Sequence, residues 1–221
     1  MNTPYAYFED DALFSSPIGK IVCVGRNYAA HARELNNPVP TTPILFIKPA
    51  SAACDLREPL VIPHDRGEVH YETELALLIG APLTRATESE ALAAVEGVGL
   101  ALDLTLRDLQ TRLKEQGHPW EVAKAFDGAC PLSPFRRVEG LAAGAEFLFT
   151  TRIDGEIRQQ GNSRDMLQPI AALLSYMSQH FTLLPGDIVL TGTPAGVGPL
   201  KSGQTIEMTL GDDLSVSTRV R

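Results

Sequence analysis

HYETELALLIG, residues 70–80, has the apolar content of a buried strand and yet carries two acids. Side chains alternate along a strand, so Tyr71, Thr73, Leu75, Leu77 and Ile79 share one face, and His70, Glu72, Glu74, Ala76 and Leu78 share the other. Both carboxylates therefore point the same way. At about 3.3 Å per residue they stand roughly 6.6 Å apart, and at an effective dielectric near 20 their repulsion is about 2.5 kcal/mol. A positive partner is expected to offset it.

Outward from this stretch, the chain reads as a run of short elements. A segment at about residues 1–19 looks irregular, followed by a strand at KIVCVG and a short helix at RNYAAHARELNN. Pro38, Pro40 and Pro43 then break the chain. ILFIK and LVIP read as further strands, and 70–80 as one long strand. ATESEALAAVEG has helical spacing, VGLALDL returns to strand, and TLRDLQTRLKEQG places Leu106, Leu109 and Leu113 on one helical side. In EFLFTTRIDGEIRQQ the Asp-Gly pair predicts a hairpin turn. PIAALLSYMSQHF is an amphipathic helix with Pro169 in its first turn, LLPGDIVLTG is turn then strand, and TIEMTLGDDLSVSTRV is a terminal hairpin. Strands outnumber helices without regular alternation, which predicts an α+β fold and not a doubly wound sheet. With no repeat and no dividing linker, residues 1–221 are expected to form a single domain.

A formal net charge of −8 argues against nucleic acid or anionic membrane as partner, because both need a dense basic field. No apolar run reaches bilayer length, and MNTPYAYFEDD lacks the basic region and apolar core of a secretory signal. The 3 cysteines, Cys23, Cys54 and Cys130, are scattered without zinc-ligand spacing, which fits reduced thiols in a cytoplasmic protein.

A third acid, Asp103, lies inside the apolar run VGLALDLTL. It could cap the helix that follows, but Thr105 and Asp108 have capping-box spacing and compete for that role. With the cap taken, Glu72, Glu74 and Asp103 are read as three hard oxygen ligands for Mg²⁺, with Mn²⁺ or Ca²⁺ as alternatives; separate ion pairs are the competing reading. His31 and Glu34 share a helical face, the spacing of an imidazole oriented by a carboxylate, although incidental pairs at this spacing are common. Arg107 and Gln110 share a face as well, and either hold a substrate carboxylate or are solvated. Lys124 sits among apolar neighbours, and Lys48 closes a strand. For an isolated lysine, a snorkelling end-cap is the simpler assignment. GTPAGVG, residues 192–198, is no P-loop; it is either an anion cradle or a structural turn.

Taken in order, GRNYAAHARE, ILFIKP, HYETELALLIG, ALDLTLRDLQ, PWEVAKAFDGACPLSPF and LTGTPAGVGPL resemble the fumarylacetoacetate hydrolase superfamily from about Ile21 to the end of the chain. The likeness is to its short acylpyruvate hydrolase and oxaloacetate decarboxylase members. The resemblance implies a mixed β-sandwich or β-roll of the C-terminal-domain type, a homodimer, and a Mg²⁺ or Mn²⁺ site at Glu72, Glu74 and Asp103. It further implies a water-activating dyad at His31 and Glu34, a catalytic Lys124, and substrate contacts from Arg26, Lys48, Arg107, Gln110 and Thr193. The expected substrate is a small anionic 2-oxo acid. The expected reaction is hydrolysis of a carbon–carbon bond in a 2,4-dioxo acid, with oxaloacetate decarboxylation or keto–enol exchange at the same metal site as the alternative. A non-catalytic metal-binding protein is the alternative from another class.

Overall fold

The structure, a computed structural model, describes residues 4–35 and 38–221. Its main sheet has eight strands, in the order Ile44–Pro49, Lys20–Gly25, Ile188–Leu190, Thr73–Ile79, Val95–Leu102, Cys130–Leu132 and Ala53–Asp55, with Arg136–Arg137 also paired to Val95–Leu102. Two neighbouring pairs run parallel, Ile188–Leu190 with Lys20–Gly25 and Cys130–Leu132 with Ala53–Asp55, and the other contacts are antiparallel. A four-stranded antiparallel sheet, ordered Glu156–Asn162, Leu148–Ile153, Thr205–Leu210 and Leu214–Arg219, packs against it. The result is the mixed α+β roll expected from the excess of short strands.

Every residue of Thr73–Ile79 is buried, because the central strand is covered on both faces. Leu75, Leu77 and Ile79 join Leu100, Leu102, Leu173, Leu174 and Met208 in the larger core. Ala76 and Leu78 join Ile21, Ile188, Leu190 and Phe135 in a second one. The Glu88–Ala93 helix starts on a Thr87–Glu90 capping box, and Ile170–His180 presents Ile170, Leu173, Leu174 and Met177 inward. The hairpin turn at Asp154 and Gly155 has positive φ at both residues, 53° and 80°, as an Asp-Gly turn of the primed type requires.

Several expectations are corrected. Residues 70–80 do not form one strand: Val69–Tyr71 belongs to a separate three-stranded sheet with Thr105–Leu106 and Gly198–Pro199, and pairing stops at Glu72. The break faces a matching one at Asp103 and Leu104, where the Asp103 N–H donates to the Glu72 carbonyl at 2.8 Å. The described part of the amino-terminal segment, from residue 4 on, is not irregular throughout, since Tyr5–Tyr7 pairs with Leu13–Pro17. LVIP is no strand; Leu60 alone bridges to Val220. The Thr105 capping box does not form either. Thr105 lies in a strand and its hydroxyl donates to the Asp103 carbonyl at 3.0 Å, leaving the Arg107–Gln116 helix without a side-chain cap. The Ala29–Glu34 helix is present, and Asn36 and Asn37 of the expected helix lie outside the described residues.

Gln159 locks the strand break in place. Its Oε1 accepts the Thr73 N–H at 2.9 Å, and its Nε2 donates to Thr193 Oγ1 at 2.8 Å and to the Pro194 carbonyl at 2.9 Å. The side chain is buried, so its loss strands partners away from water. Gln159→Leu is expected to lower unfolding free energy by roughly 2–4 kcal/mol in urea denaturation. An unchanged midpoint and slope would show that these bonds do not hold the break.

Candidate active site

At the break in the central strand, Glu72, Glu74 and Asp103 converge. Each offers one carboxylate oxygen such that all three lie within 4.8 Å of one another, and all three residues are buried. The period-two reading of Glu72 and Glu74 therefore holds locally, even though pairing stops between the two strand segments. Among the described residues this is the group of acids placed to hold a metal ion.

The repulsion anticipated from the sequence is offset by the protein's own cations. Lys124 Nζ donates to Glu72 Oε2 at 2.8 Å and to Asp103 Oδ2 at 2.5 Å. Arg107 Nη2 donates to Glu72 Oε1, and its Nη1 donates to Gln110 Oε1 at 2.7 Å. The Lys48 ammonium lies 2.8 Å from Asp103 Oδ1, but off hydrogen-bonding alignment, so that oxygen has no hydrogen-bond partner. Burial opposes ionisation of Glu72, yet Lys124, Arg107 and His31 outweigh it and hold the carboxyl well below its usual range. Burial likewise opposes the Lys124 charge, and Asp103 and Glu72 hold the ammonium above the ordinary lysine value. Glu74 goes the other way. Burial, then the negative charge of Asp103, pushes its carboxyl well above normal, with Lys124 and the Gly192 N–H at 2.6 Å as partial relief. Glu74 thus lacks a cation of its own, and Asp103 Oδ1 accepts no hydrogen bond, so donor oxygens remain open in the cluster. Its all-oxygen donor set fits a divalent metal.

His31 and Glu34 meet as their spacing predicts. Nδ1 lies 3.3 Å from Glu34 Oε2, and His31 lines the same cavity as the three acids. Burial is the largest influence on the imidazole and lowers its pKa, favouring the neutral ring. Glu34 Oε1 in turn accepts the Gly196 N–H at 2.9 Å. GTPAGVG is thus not an open anion cradle: Gly192 and Gly196 spend their N–H groups on two of the protein's own carboxylates. Gly196, at φ 101°, lies so close to the Arg158 carbonyl that a side chain has no room there.

Arg26, Arg107, Gln110, Lys124 and Thr193 all line the cavity. The Thr193 hydroxyl is already engaged, donating to the Thr73 carbonyl at 2.8 Å and accepting from Gln159. Lys48 is corrected on two counts. It is no snorkelling end-cap, since none of it is exposed, and it is no substrate contact, since it lies behind the acids. Its ammonium donates to the carbonyls of Leu104, Lys124 and Ala129, which places it as support for the ligand cluster.

A model of the fumarylacetoacetate (FAA) hydrolase C-terminal family matches residues 20–221. The chain belongs to the fumarylacetoacetate hydrolase family. It is 52% identical over 216 residues to oxaloacetate tautomerase YcgM of Escherichia coli, covering 95% of each chain. It is 45% identical over 187 residues to the mitochondrial oxaloacetate tautomerase FAHD1 of Arabidopsis thaliana, covering 85% of this chain and 84% of that one. Among solved structures it is similar to fumarylpyruvate hydrolase from Pseudomonas aeruginosa in complex with Mn²⁺ and pyruvate, at 36% identity and a TM-score of 0.92, covering 100% of this chain and 97% of that chain. This membership makes the chain an enzyme of that family, of the short type. No helix among the described residues is long and apolar enough to cross a membrane.

Sequence reasoning missed Phe46, Lys114 and Trp120 as cavity-lining residues. Lys114 carried a readable signal, because residues 107, 110 and 114 recur on one helical face. The packing of Phe46 on Trp120, with ring centroids 5.9 Å apart, is long-range and left no local trace.

Replacing Lys124 removes a partner from two buried carboxylates at once. Lys124→Met is expected to cost about 3–5 kcal/mol of stability in metal-free protein, with part of the loss recovered on adding Mn²⁺. Denaturation with and without the ion measures this. A variant as stable as the parent, with no response to Mn²⁺, would show that the acids do not need that charge.

Proposed function

We propose that this protein is a divalent-metal-dependent oxaloacetate keto–enol tautomerase, with residues 1–221 acting as one catalytic domain. The observation that carries the reading is the cavity itself, where a neutral-leaning imidazole, a metal-ready acidic triad and unpaired cationic groups face one small space. The 52% identity to a protein named as an oxaloacetate tautomerase supports that reaction among those such a site can run. Hydrolysis of 2,4-dioxo acids, the expectation from sequence, becomes the second reading. It is favoured by the 36% identical neighbour named as a fumarylpyruvate hydrolase.

Glu72, Glu74 and Asp103 would hold the ion, Mg²⁺ or Mn²⁺. When bound, it supplies Lewis-acid stabilisation to the 2-oxo oxygen. Arg107, its fork steadied by Gln110, orients the substrate's carboxylate next to the oxo group. Glu34 accepts the Nδ1–H of His31, which fixes the tautomer and leaves Nε2 as the proton acceptor. His31 then takes a proton from C3 as the 2-oxo oxygen gains one from solvent, and the reverse transfer regenerates the keto acid. Lys124 stays protonated and keeps the acids in place while adding positive charge to the site.

The test follows enol oxaloacetate by ultraviolet absorbance in Mn²⁺-loaded protein, alongside pyruvate release from acetylpyruvate, fumarylpyruvate and oxaloacetate. Ketonisation well ahead of both hydrolysis and decarboxylation is the expected result; dominant acylpyruvate cleavage would replace this reading with the second. His31→Ala is expected to reduce tautomerisation by about 10²- to 10⁴-fold with Mn²⁺ affinity retained. An unaltered rate would remove His31 from proton transfer.

A further inference from the structure

We propose that Lys114 and Arg26 form a second carboxylate subsite, in the same cavity as the acid triad, that reads the distal carboxylate of a dicarboxylic 2-oxo acid. The inference rests on the tautomerase reading for its choice of ligand and on cavity geometry for its residues.

Three acids line the cavity, against four cationic side chains: Arg26, Arg107, Lys114 and Lys124. Arg107 and Lys124 are committed to Glu72 and Asp103. Arg26 and Lys114 have no ion-pair partner among the described residues, and the buried Arg26 Nε has no hydrogen-bond partner at all. A divalent ion on the triad would enlarge the positive surplus. A 2-oxo acid engages Arg107 through the carboxylate beside its oxo group, which spends one negative charge and leaves two cations unanswered. A second carboxylate on the same ligand answers them.

Both side chains are held for the purpose. Arg26 has φ 61°, a left-handed backbone that a long side chain rarely adopts. Asn27 fixes it there: its Nδ2 donates to the carbonyls of Gln168 at 3.1 Å and Thr191 at 2.9 Å, and its Oδ1 accepts the Gln168 N–H at 2.8 Å. Lys114 extends from the helical face that carries Arg107 and Gln110, and its ammonium lies 5.3 Å from the centre of the Trp120 ring. An aromatic face steers a cation without neutralising it. Burial, then the charges of Arg26 and Arg107, bring the Lys114 pKa down to about 8, with Glu72 giving partial relief.

The test is equilibrium binding to Mn²⁺-loaded protein by calorimetry, with pyruvate as the probe lacking a distal carboxylate and oxaloacetate as the probe that has one. Lys114→Met keeps a long apolar side chain on Trp120 and removes the charge. It is expected to weaken oxaloacetate about tenfold or more, with pyruvate affinity kept within about twofold, and Lys114→Arg is expected to restore most of the loss. Arg26→Gln should act in the same direction. Retained pyruvate binding shows that each variant is folded. Equal losses for both probes, or none for oxaloacetate, would overturn the subsite. Affinity is read separately from rate, so a protein that fails to tautomerise oxaloacetate can still show the charge-dependent preference, and the two readings fail separately.

Discussion

Three carboxylates buried where two neighbouring strands stop pairing form the constraint around which this fold is arranged. Charged groups leave water at a cost of several kcal/mol each, so such a cluster persists only if cations arrive from elsewhere in the chain. They come from three elements: Lys48 from the end of an edge strand, Arg107 from the start of a helix, and Lys124 from a single helical turn. Each cation also places its own element. Lys48 shows this most plainly, because its ammonium gathers the carbonyls of Leu104, Lys124 and Ala129 around Asp103. The site is therefore a junction of the fold as well as a place for chemistry.

The backbone near the acids serves the same end. Gly192 and Gly196, at φ 94° and 101°, bring N–H groups against Glu74 and Glu34. One loop thereby ties a candidate metal ligand to the carboxylate that orients His31. Thr193 and Gln159 join that loop to the strand break and to the second sheet, so the triad and the dyad are fixed by one connected network of hydrogen bonds.

Features governed by local periodicity were legible in the sequence. Spacing of two put Glu72 and Glu74 on one side, spacing of three brought His31 to Glu34 and Arg107 to Gln110, and Asp-Gly marked its hairpin. What depended on partners distant in the chain was not legible. The apolar alternation of 70–80 continues through Glu72, and only the matching gap at Asp103 and Leu104 breaks the pairing. Lys48 looked like a strand-end lysine because nothing near it in sequence announces the acid it meets, 55 residues later in the numbering at Asp103. GTPAGVG reads from sequence as either an anion cradle or a structural turn, and it combines the two, because the anions it meets are side chains of the same protein.

The two reactions considered for this site differ less in machinery than in what stands at C4 of the substrate. An acylpyruvate carries a ketone carbonyl there, open to attack by water. Oxaloacetate carries a carboxylate, whose delocalised charge makes it a poor electrophile, and its C3 proton is then the group that His31 can act on. Oxaloacetate and fumarylpyruvate both carry a distal carboxylate, so the proposed subsite at Arg26 and Lys114 would favour either over a monocarboxylic acylpyruvate, and the group at C4 decides which reaction follows. His31 is only 5% exposed, and the proposed proton transfer to its imidazole needs no water held for attack on carbon. The proposed acid triad and the His31–Glu34 pair would serve both chemistries, and what separates them is the electrophilicity of the group at C4.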